Sequence, residues 1–410
     1  MKEQGFSKVR SIPINRPDIP DWAFEDFLSS EHSVKDFESA FSVYMGGSGQ
    51  AALTASGKMA IYLLFKLLGL KGNVITSPLS CSMAYAPIIA NGMKLKFVDI
   101  NPKTFVLDES KAEGCIDVNT AAIYVVHLGG TTPDMARLRQ IADEHNVLLI
   151  EDCAQGLGSQ FSGRKAGSFG HYSCFSFAKN MWLAGCGAVF SHNPVLIQKI
   201  REHQASLPEA PQGLLKYRFE RDMLESRRGF DDVADQKYYT DFVMPAKNAN
   251  VGIDYNGYFT KKDVYCRPSD IQASLLYEQL LTIDEKNYVR RMTAHKIING
   301  LDDLGVFQSE HERQSVYSKL YFVPRRDLDN RTTIPMLVAD GIDAKHLTKS
   351  HGVHFQERFD MWDRFRPFVA ADSLEEYCRI HDKIVALPIS SKMKNEEVSH
   401  IINRCRCIFG

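Results

Sequence analysis

At 410 residues the chain is longer than one hydrophobic core usually supports, so two domains are expected. Its 49 basic and 50 acidic residues nearly cancel, which excludes nucleic acid as the main partner, because that role needs a net basic face. No stretch approaches the roughly 20 apolar residues of a membrane span, and the opening MKEQGFSKVRSIPINRPDIPDW lacks the apolar run of a secretory signal.

In chain order, residues 1–45 are polar and rich in proline and aromatics, and read as an N-terminal arm with a short helix from Ala23 to Leu28. The segment GGSGQAALTASGKMAIYLLFKLLGL follows. Its small polar residues precede a helical spacing of Met59, Ile61, Leu63, Leu64, Leu67 and Leu68, with Ser56 as N-cap. A helix beginning at Ser56-Gly57-Lys58 directs backbone N–H groups and the positive end of its dipole at that point, which favours an anion such as a phosphate. A merely capped helix would have the same local sequence. Gly46, Gly47 and Gly49 do not make GxGxxG and no clear strand precedes them, so a dinucleotide fingerprint is disfavoured.

Strands and helices then alternate. Val74–Thr76 reads as a strand, 80–91 as a helix, and Leu95–Val98 as a strand ending in Asp99. Ala121–Val126 reads as a strand ending in His127-Leu128-Gly129-Gly130, and Met135–His145 as a helix. This spacing predicts βαβ units and a mostly parallel sheet. The apolar run Val147–Ile150 then stops at Glu151-Asp152, and a second run, Ser173–Phe177, is followed at once by Lys179 and a turn through Gly185 and Gly187. Two buried strands that deliver a carboxylate and a lysine place opposite charges at the sheet rim where α/β enzymes hold their ligands. A strand over Ala188–Ser191 and a helix from Pro194 come next.

Residues 206–262 are charged and aromatic with little periodicity, and are expected to cover the site mouth or wrap a partner subunit. A long helical pattern runs from Ser269 to Gly305. A strand over Lys319–Val323, a helix over Asp343–Ser350 and a closing helix over Asn395–Cys405 suggest a smaller α+β domain. The expected division is an arm at 1–45, a large domain at 46–262 and a small domain at 263–410. The 9 cysteines are an odd number without a repeating pattern, which fits reduced thiols in a cytoplasm. Cys405 and Cys407 make a CxC without a nearby His or Cys partner, and CxxC, HExxH and P-loop motifs are absent, so no metal site is expected.

A lysine amine, a carboxylate and an anion cup are three parts of a pyridoxal phosphate site: the amine condenses with the aldehyde, the carboxylate keeps the ring nitrogen protonated, and the helix end holds the phosphate. The order SGK-MA (Ser56–Ala60), FVDIN (Phe97–Asn101), VVHLGG (Val125–Gly130), IEDCAQGLGSQFSGRKAGSFGHYSCFSF (Ile150–Phe177) and the lysine of AKN resembles the DegT/DnrJ/EryC1/StrS family. The likeness continues in RPSDIQASLLYEQL (Arg267–Leu280) and LPIS (Leu387–Ser390). It implies an α/β protein of the PLP-dependent transferase fold type I, with a mostly parallel sheet flanked by helices and a smaller C-terminal α+β domain. It implies pyridoxal 5'-phosphate as cofactor, an amino donor such as glutamate, a keto sugar attached to a nucleotide as acceptor, and a homodimer. Residue by residue, it puts the cofactor-binding lysine on Lys179, the ring-nitrogen aspartate on Asp152 and the contact to the ring hydroxyl on Gln155. The phosphate contacts fall on Ser176 and on Ser56-Gly57-Lys58, and the ring-stacking position falls on Cys81.

Several positions depart from the family. It usually has two more residues between FSF and the lysine; counted without a gap, the lysine column falls on Met181, which cannot condense with an aldehyde. Cys81 cannot stack on a ring. Ala184-Gly185-Cys186-Gly187 stands where many members have Gly-Glu-Gly-Gly, and the asparagine that reaches the neighbouring subunit's phosphate aligns near Tyr265. Lys58 replaces a threonine. Besides transamination, two readings are open: a sugar 3-dehydratase, although those carry histidine at the Lys179 position, and a non-catalytic homologue that binds PLP or a sugar nucleotide.

Overall fold

Short strands, most of them largely apolar and several followed by a helix, build the central sheet. The computed structural model describes residues 12–13, 16–29, 31–182, 185–227, 265–308, 313–328, 330–343, 345–346, 368–371 and 373–410. After a 3-10 turn at Phe24–Phe27, helix α1 (Val34–Tyr44) starts at Ser33, which with Asp36 forms a capping box. Strand β1 (Gln50–Thr54) leads into α2 (Gly57–Leu68), where Ser56 is the N-cap as expected and Gly69 the left-handed C-cap. Then follow β2 (Asn73–Thr76), α3 (Ser82–Ala90), β3 (Lys94–Phe97), α4 (Glu109–Gly114), β4 (Thr120–Val126), α5 (Met135–Glu144) and β5 (Leu148–Asp152). Short strands β6 (Gln160–Phe161) and β7 (Arg164–Lys165) precede β8 (Tyr172–Ser176), a 3-10 turn at Phe177–Lys179, β9 (Gly187–Ser191), α6 (Pro194–Ala205) and α7 (Gln212–Arg227).

The second half contains α8 (Asp270–Leu280), α9 (Ile283–Leu301), β10 (Gly305–Phe307), β11 (Arg313–Gln314), β12 (Leu320–Pro324), α10 (Asn330–Ala339) and β13 (Lys345–His346). It closes with β14 (Val369–Ala371), α11 (Glu375–Ile380), β15 (Val385–Leu387) and α12 (Asn395–Phe409). The large sheet has 8 strands in the order β1-β9-β8-β5-β4-β2-β3-β14. Every pairing from β8 to β14 is parallel, and β9 runs antiparallel to both of its neighbours. A second sheet, β10-β12-β15-β13, is antiparallel throughout.

Some expectations give way here. Gln50–Thr54 is a strand although its small residues carry no β-branched pattern, because pairing with β9 buries Ala51 to Thr54. The Ser269–Gly305 pattern is two helices, broken at Leu281-Thr282. Part of the segment read as aperiodic, Gln212–Arg227, is helical. Within the helix expected over Asp343–Ser350, Lys345–His346 is a strand paired to β15; residues 347–350 and 228–264 lie outside the described residues.

Three ties join the chain's ends and halves. The buried guanidinium of Arg16 donates to both carboxylate oxygens of Glu397, at 3.1 and 2.6 Å. Phe37 and Phe41 of α1 share one apolar core with Leu275 and Leu276 of α8. Asp99, just past β3, accepts the backbone N–H groups of Glu376 and Tyr377 at 2.9 and 2.8 Å, and so caps α11 from a distant part of the chain. Among the described residues no helix is long and apolar enough to cross a membrane.

Candidate active site

Parallel strands β4, β5 and β8 end at the same rim, so their last residues meet there. Asp152 ends β5, opposite Val126 on one side and Cys174 on the other. Its carboxylate is buried, accepting the Tyr124 hydroxyl at 2.7 Å and the Ala154 N–H at 2.9 Å. Burial raises its pKa above the usual carboxylate range, while these two donors and the charges of His127 and Lys179 pull the other way. The acid picked out from sequence thus sits on the strand next to the one whose following turn carries the lysine.

Lys179 closes the 3-10 turn after β8 and is half-buried. Phe177 donates its N–H to the Cys186 carbonyl at 2.9 Å, and Met181 donates to the Phe177 carbonyl at 2.7 Å, so the turn folds tightly back on itself. Met181 is fully buried in the apolar core with Phe177 and Cys186. The two alignments thus differ physically: the methionine is a core residue, and the lysine's charge is felt at Asp152.

The anion cup assembles at the end of β8. Ser56 Oγ accepts the Met59 N–H at 3.2 Å, which fixes the first turn of α2, whose leading N–H groups have no intrahelical partner. A Cβ added to Gly57 would lie 2.5 Å from the Ser176 Cβ, so only glycine allows the helix start to approach Ser176 this closely. Gly187 is pressed in turn against the Gly57 backbone. Ser56, Gly57 and Ser176 therefore come together, and half-buried Lys58 continues the same turn. A cradle that a single methyl would fill, beside a buried acid opposed by an amine, fits a phosphate-bearing pyridine.

Gln155 is held from both halves of the chain: its Oε1 accepts the Gly129 N–H at 3.0 Å and the hydroxyls of Ser318 and Tyr321 at 3.4 Å. Cys81 is the half-buried N-cap of α3. The hydroxyl of Tyr265 meets Lys66 Nζ at 3.2 Å and His203 Nε2 at 2.5 Å within its own chain.

Three residues behind the rim were not singled out from sequence. Glu151 and His127 are fully buried and joined at 2.9 Å between Oε2 and Nε2. Glu151 also accepts the backbone N–H groups of Gly167, Phe169 and Gly170 at 2.7, 2.8 and 2.6 Å, which pins the loop between β7 and β8. With the carboxylate as acceptor, His127 Nε2 is the donor. His127, Glu151 and Cys153 could offer ligand atoms within 4.8 Å of one another, but both Glu151 oxygens already accept backbone donors, as a structural clamp does. The third residue, Tyr124, has no local signature beyond its place on a strand. The visible clue to the first two was their position at adjacent strand ends.

A mostly parallel sheet with one antiparallel strand, a glycine-tight helix start and a lysine–aspartate pair at its rim define a type I fold of the PLP-dependent transferases. The model of the DegT/DnrJ/EryC1/StrS aminotransferase family matches residues 19–406, and the chain belongs to that family. It is 26% identical over 374 residues to the dTDP-3-amino-3,6-dideoxy-alpha-D-galactopyranose transaminase of Aneurinibacillus thermoaerophilus, covering 90% of this chain and 88% of that one. It is 35% identical over 184 residues to the UDP-4-amino-4,6-dideoxy-N-acetyl-beta-L-altrosamine transaminase of Campylobacter jejuni; this match covers 43% of the chain and spans only about half, 48%, of that relative. The solved structure of Helicobacter pylori PseC, an aminotransferase involved in the biosynthesis of pseudoaminic acid, superposes with a TM-score of 0.73 at 18% identity. That match covers 98% of this chain and 99% of the other, and shows likeness of fold.

Proposed function

We propose that the chain is a PLP-dependent aminotransferase that moves an amino group from a donor, glutamate, to a nucleotide-linked keto sugar in amino-sugar, polysaccharide or natural-product biosynthesis. The observation that carries this reading is geometric: buried Asp152 ends β5 opposite Cys174 of β8, and the turn that follows β8 ends in Lys179. The two relatives named above are transaminases of dTDP- and UDP-linked amino sugars, which supports the substrate class. Lys179 at the lysine position speaks against the dehydratase reading.

When bound, pyridoxal 5'-phosphate supplies an aldehyde for amines and a protonated ring that withdraws electrons from the reacting carbon. Lys179 Nζ would hold the cofactor and, as a free amine, would serve as the acid–base group beside it. Asp152, oriented by Tyr124 and Ala154, keeps the ring nitrogen protonated, and a cation there offsets the penalty of burying its own charge. Gln155 would contact the ring hydroxyl. Ser56, Gly57, Lys58 and Ser176 would hold the phosphate, and Cys81 stands where the resemblance puts a ring-stacking residue. The protein works as a cytoplasmic homodimer, with its large domain at 46–262 and its small domain at 263–410.

The test is incubation with PLP, glutamate and a panel of nucleotide-linked 3-keto and 4-keto sugars, following the cofactor's visible absorbance. Glutamate should bleach it and one of the sugars should restore it. Purified protein that takes up no PLP, or whose spectrum no amine changes, would favour the non-catalytic reading. Lys179→Ala should remove the visible band, and an unchanged spectrum would refute the lysine's assignment.

A further inference from the structure

Helix α7 lies against the loop that follows Lys179. Its Leu215, Phe219 and Met223 are buried in the core that holds Met181 and Cys186, and Phe219 meets Phe24 edge-on at 5.5 Å between ring centroids. This seating fixes the neighbouring residue, Arg218, half-buried over Gly185. A Cβ built on Gly185, which has a φ of 66°, would lie 3.3 Å from Arg218 Nη1. Burial pushes the Cys186 thiol pKa up and the Arg218 charge opposes this, so the guanidinium also acts on the next residue of the loop. Cys186 in turn binds Phe177, two residues before Lys179.

Among the described residues Arg218 has no ion-pair partner. A guanidinium that has lost part of its water without gaining a counter-ion is unfavourable, and a bidentate oxyanion is the group whose geometry it matches. We infer that Arg218 is a substrate-recognition residue, binding an oxyanion of the substrate beside the Lys179 loop. The anion is either the phosphate of a nucleotide-linked sugar or the carboxylate of the amino donor. This rests on the aminotransferase reading above.

The experiment compares PLP-loaded wild type, Arg218→Ala and Arg218→Lys in two measurements: calorimetric binding of UDP, GDP and dTDP, and single-turnover bleaching of the cofactor by glutamate. Alanine should weaken one of these roughly tenfold to hundredfold, as for a charge-assisted pair. Lysine should recover part of the loss, because it keeps the charge without the fork. Lost diphosphate binding with an unchanged glutamate response identifies the phosphate, and the reverse identifies the donor carboxylate. If both measurements stay at wild-type levels in Arg218→Ala, or if Arg218→Lys fails to recover in samples that melt like wild type, the inference is overturned. Failure of the aminotransferase reading shows separately, as wild type that no amine bleaches; wild-type diphosphate binding unaffected by Arg218→Ala then overturns the anion role, and no diphosphate binding at all overturns it equally.

Discussion

The Tyr124 hydroxyl donates to Oδ2 of Asp152 across the β4–β5 pair at 2.7 Å, inside the core where neither group meets water. Tyr124→Phe should leave that oxygen one donor short. The expected loss is about 1–3 kcal/mol of PLP affinity, read by absorbance titration, with the fold retained. Unchanged affinity would mean that Ala154 alone holds the carboxylate.

Asp152 itself should separate stability from function. Its folded pKa is raised, chiefly by burial, so its contribution to stability is present below the ordinary carboxyl pKa and lost as pH rises through the higher folded value. Asp152→Asn in cofactor-free protein should therefore melt no lower than wild type at neutral pH, while turnover falls by at least about a hundredfold. A clear drop in melting temperature would contradict burial as the dominant influence.

Asp99 has the opposite sign. Burial would raise its pKa, but Lys111 at 2.8 Å and the N–H groups of Glu376, Tyr377 and Ile100 outweigh it and hold the carboxyl below its usual range. Its stabilisation is present above the unfolded pKa and lost as pH falls through the folded one. Denaturation of wild type against Asp99→Asn should show a gap of about 1–3 kcal/mol at neutral pH that closes in acid. Lys111→Ala, which removes a partner 43% exposed, should cost much less.

Met181 and Lys179 should give contrasting variants. Met181→Ala opens a cavity in a fully buried site and should cost about 2–5 kcal/mol in chemical denaturation, while folded protein still takes up PLP. Lys179→Ala should do the reverse. Restored cofactor linkage in a Lys179→Ala/Met181→Lys double variant would reverse the assignment.

Gly57→Ala is a test of the cup. The added methyl would lie 2.5 Å from the Ser176 Cβ, and relieving that contact means moving the α2 start off β8. Stability should fall by about 1–3 kcal/mol, and PLP affinity should fall more than affinity for pyridoxal, which has no phosphate. Equal losses for both ligands would place the phosphate elsewhere.

Much of this was legible along the chain because strands β2, β4 and β5 are largely buried and read as apolar runs, and because Ser56 caps α2 with a recognisable signature. The acid at 152 was visible for the same reason, as a charge that abruptly ends such a run. Strand β1 was hidden, since Gln-Ala-Ala-Leu-Thr has no strand pattern and gains order only from β9. Helix α1 lies inside the segment expected as an arm: Ser33 and Asp36 mark its start, but proline-rich residues without helical spacing precede it. Lys345–His346 is a strand by virtue of its partner Val385-Ala386, forty residues onward, which no local pattern encodes. The Glu151 clamp and the seat of Arg218 depend on segments that meet only in three dimensions.

Strand β14 lies last in the large sheet, hydrogen-bonded to β3 from a point more than 270 residues later in the sequence. Until Val369–Ala371 leaves the ribosome, the nascent sheet carries an open flank of unpaired amides and carbonyls at Lys94–Phe97, the kind of surface on which chains stick to one another. Translation that stops early, or proteolytic trimming of the last fifty residues, strips that cover, so clumping of truncated products is built into the order in which this polypeptide is made.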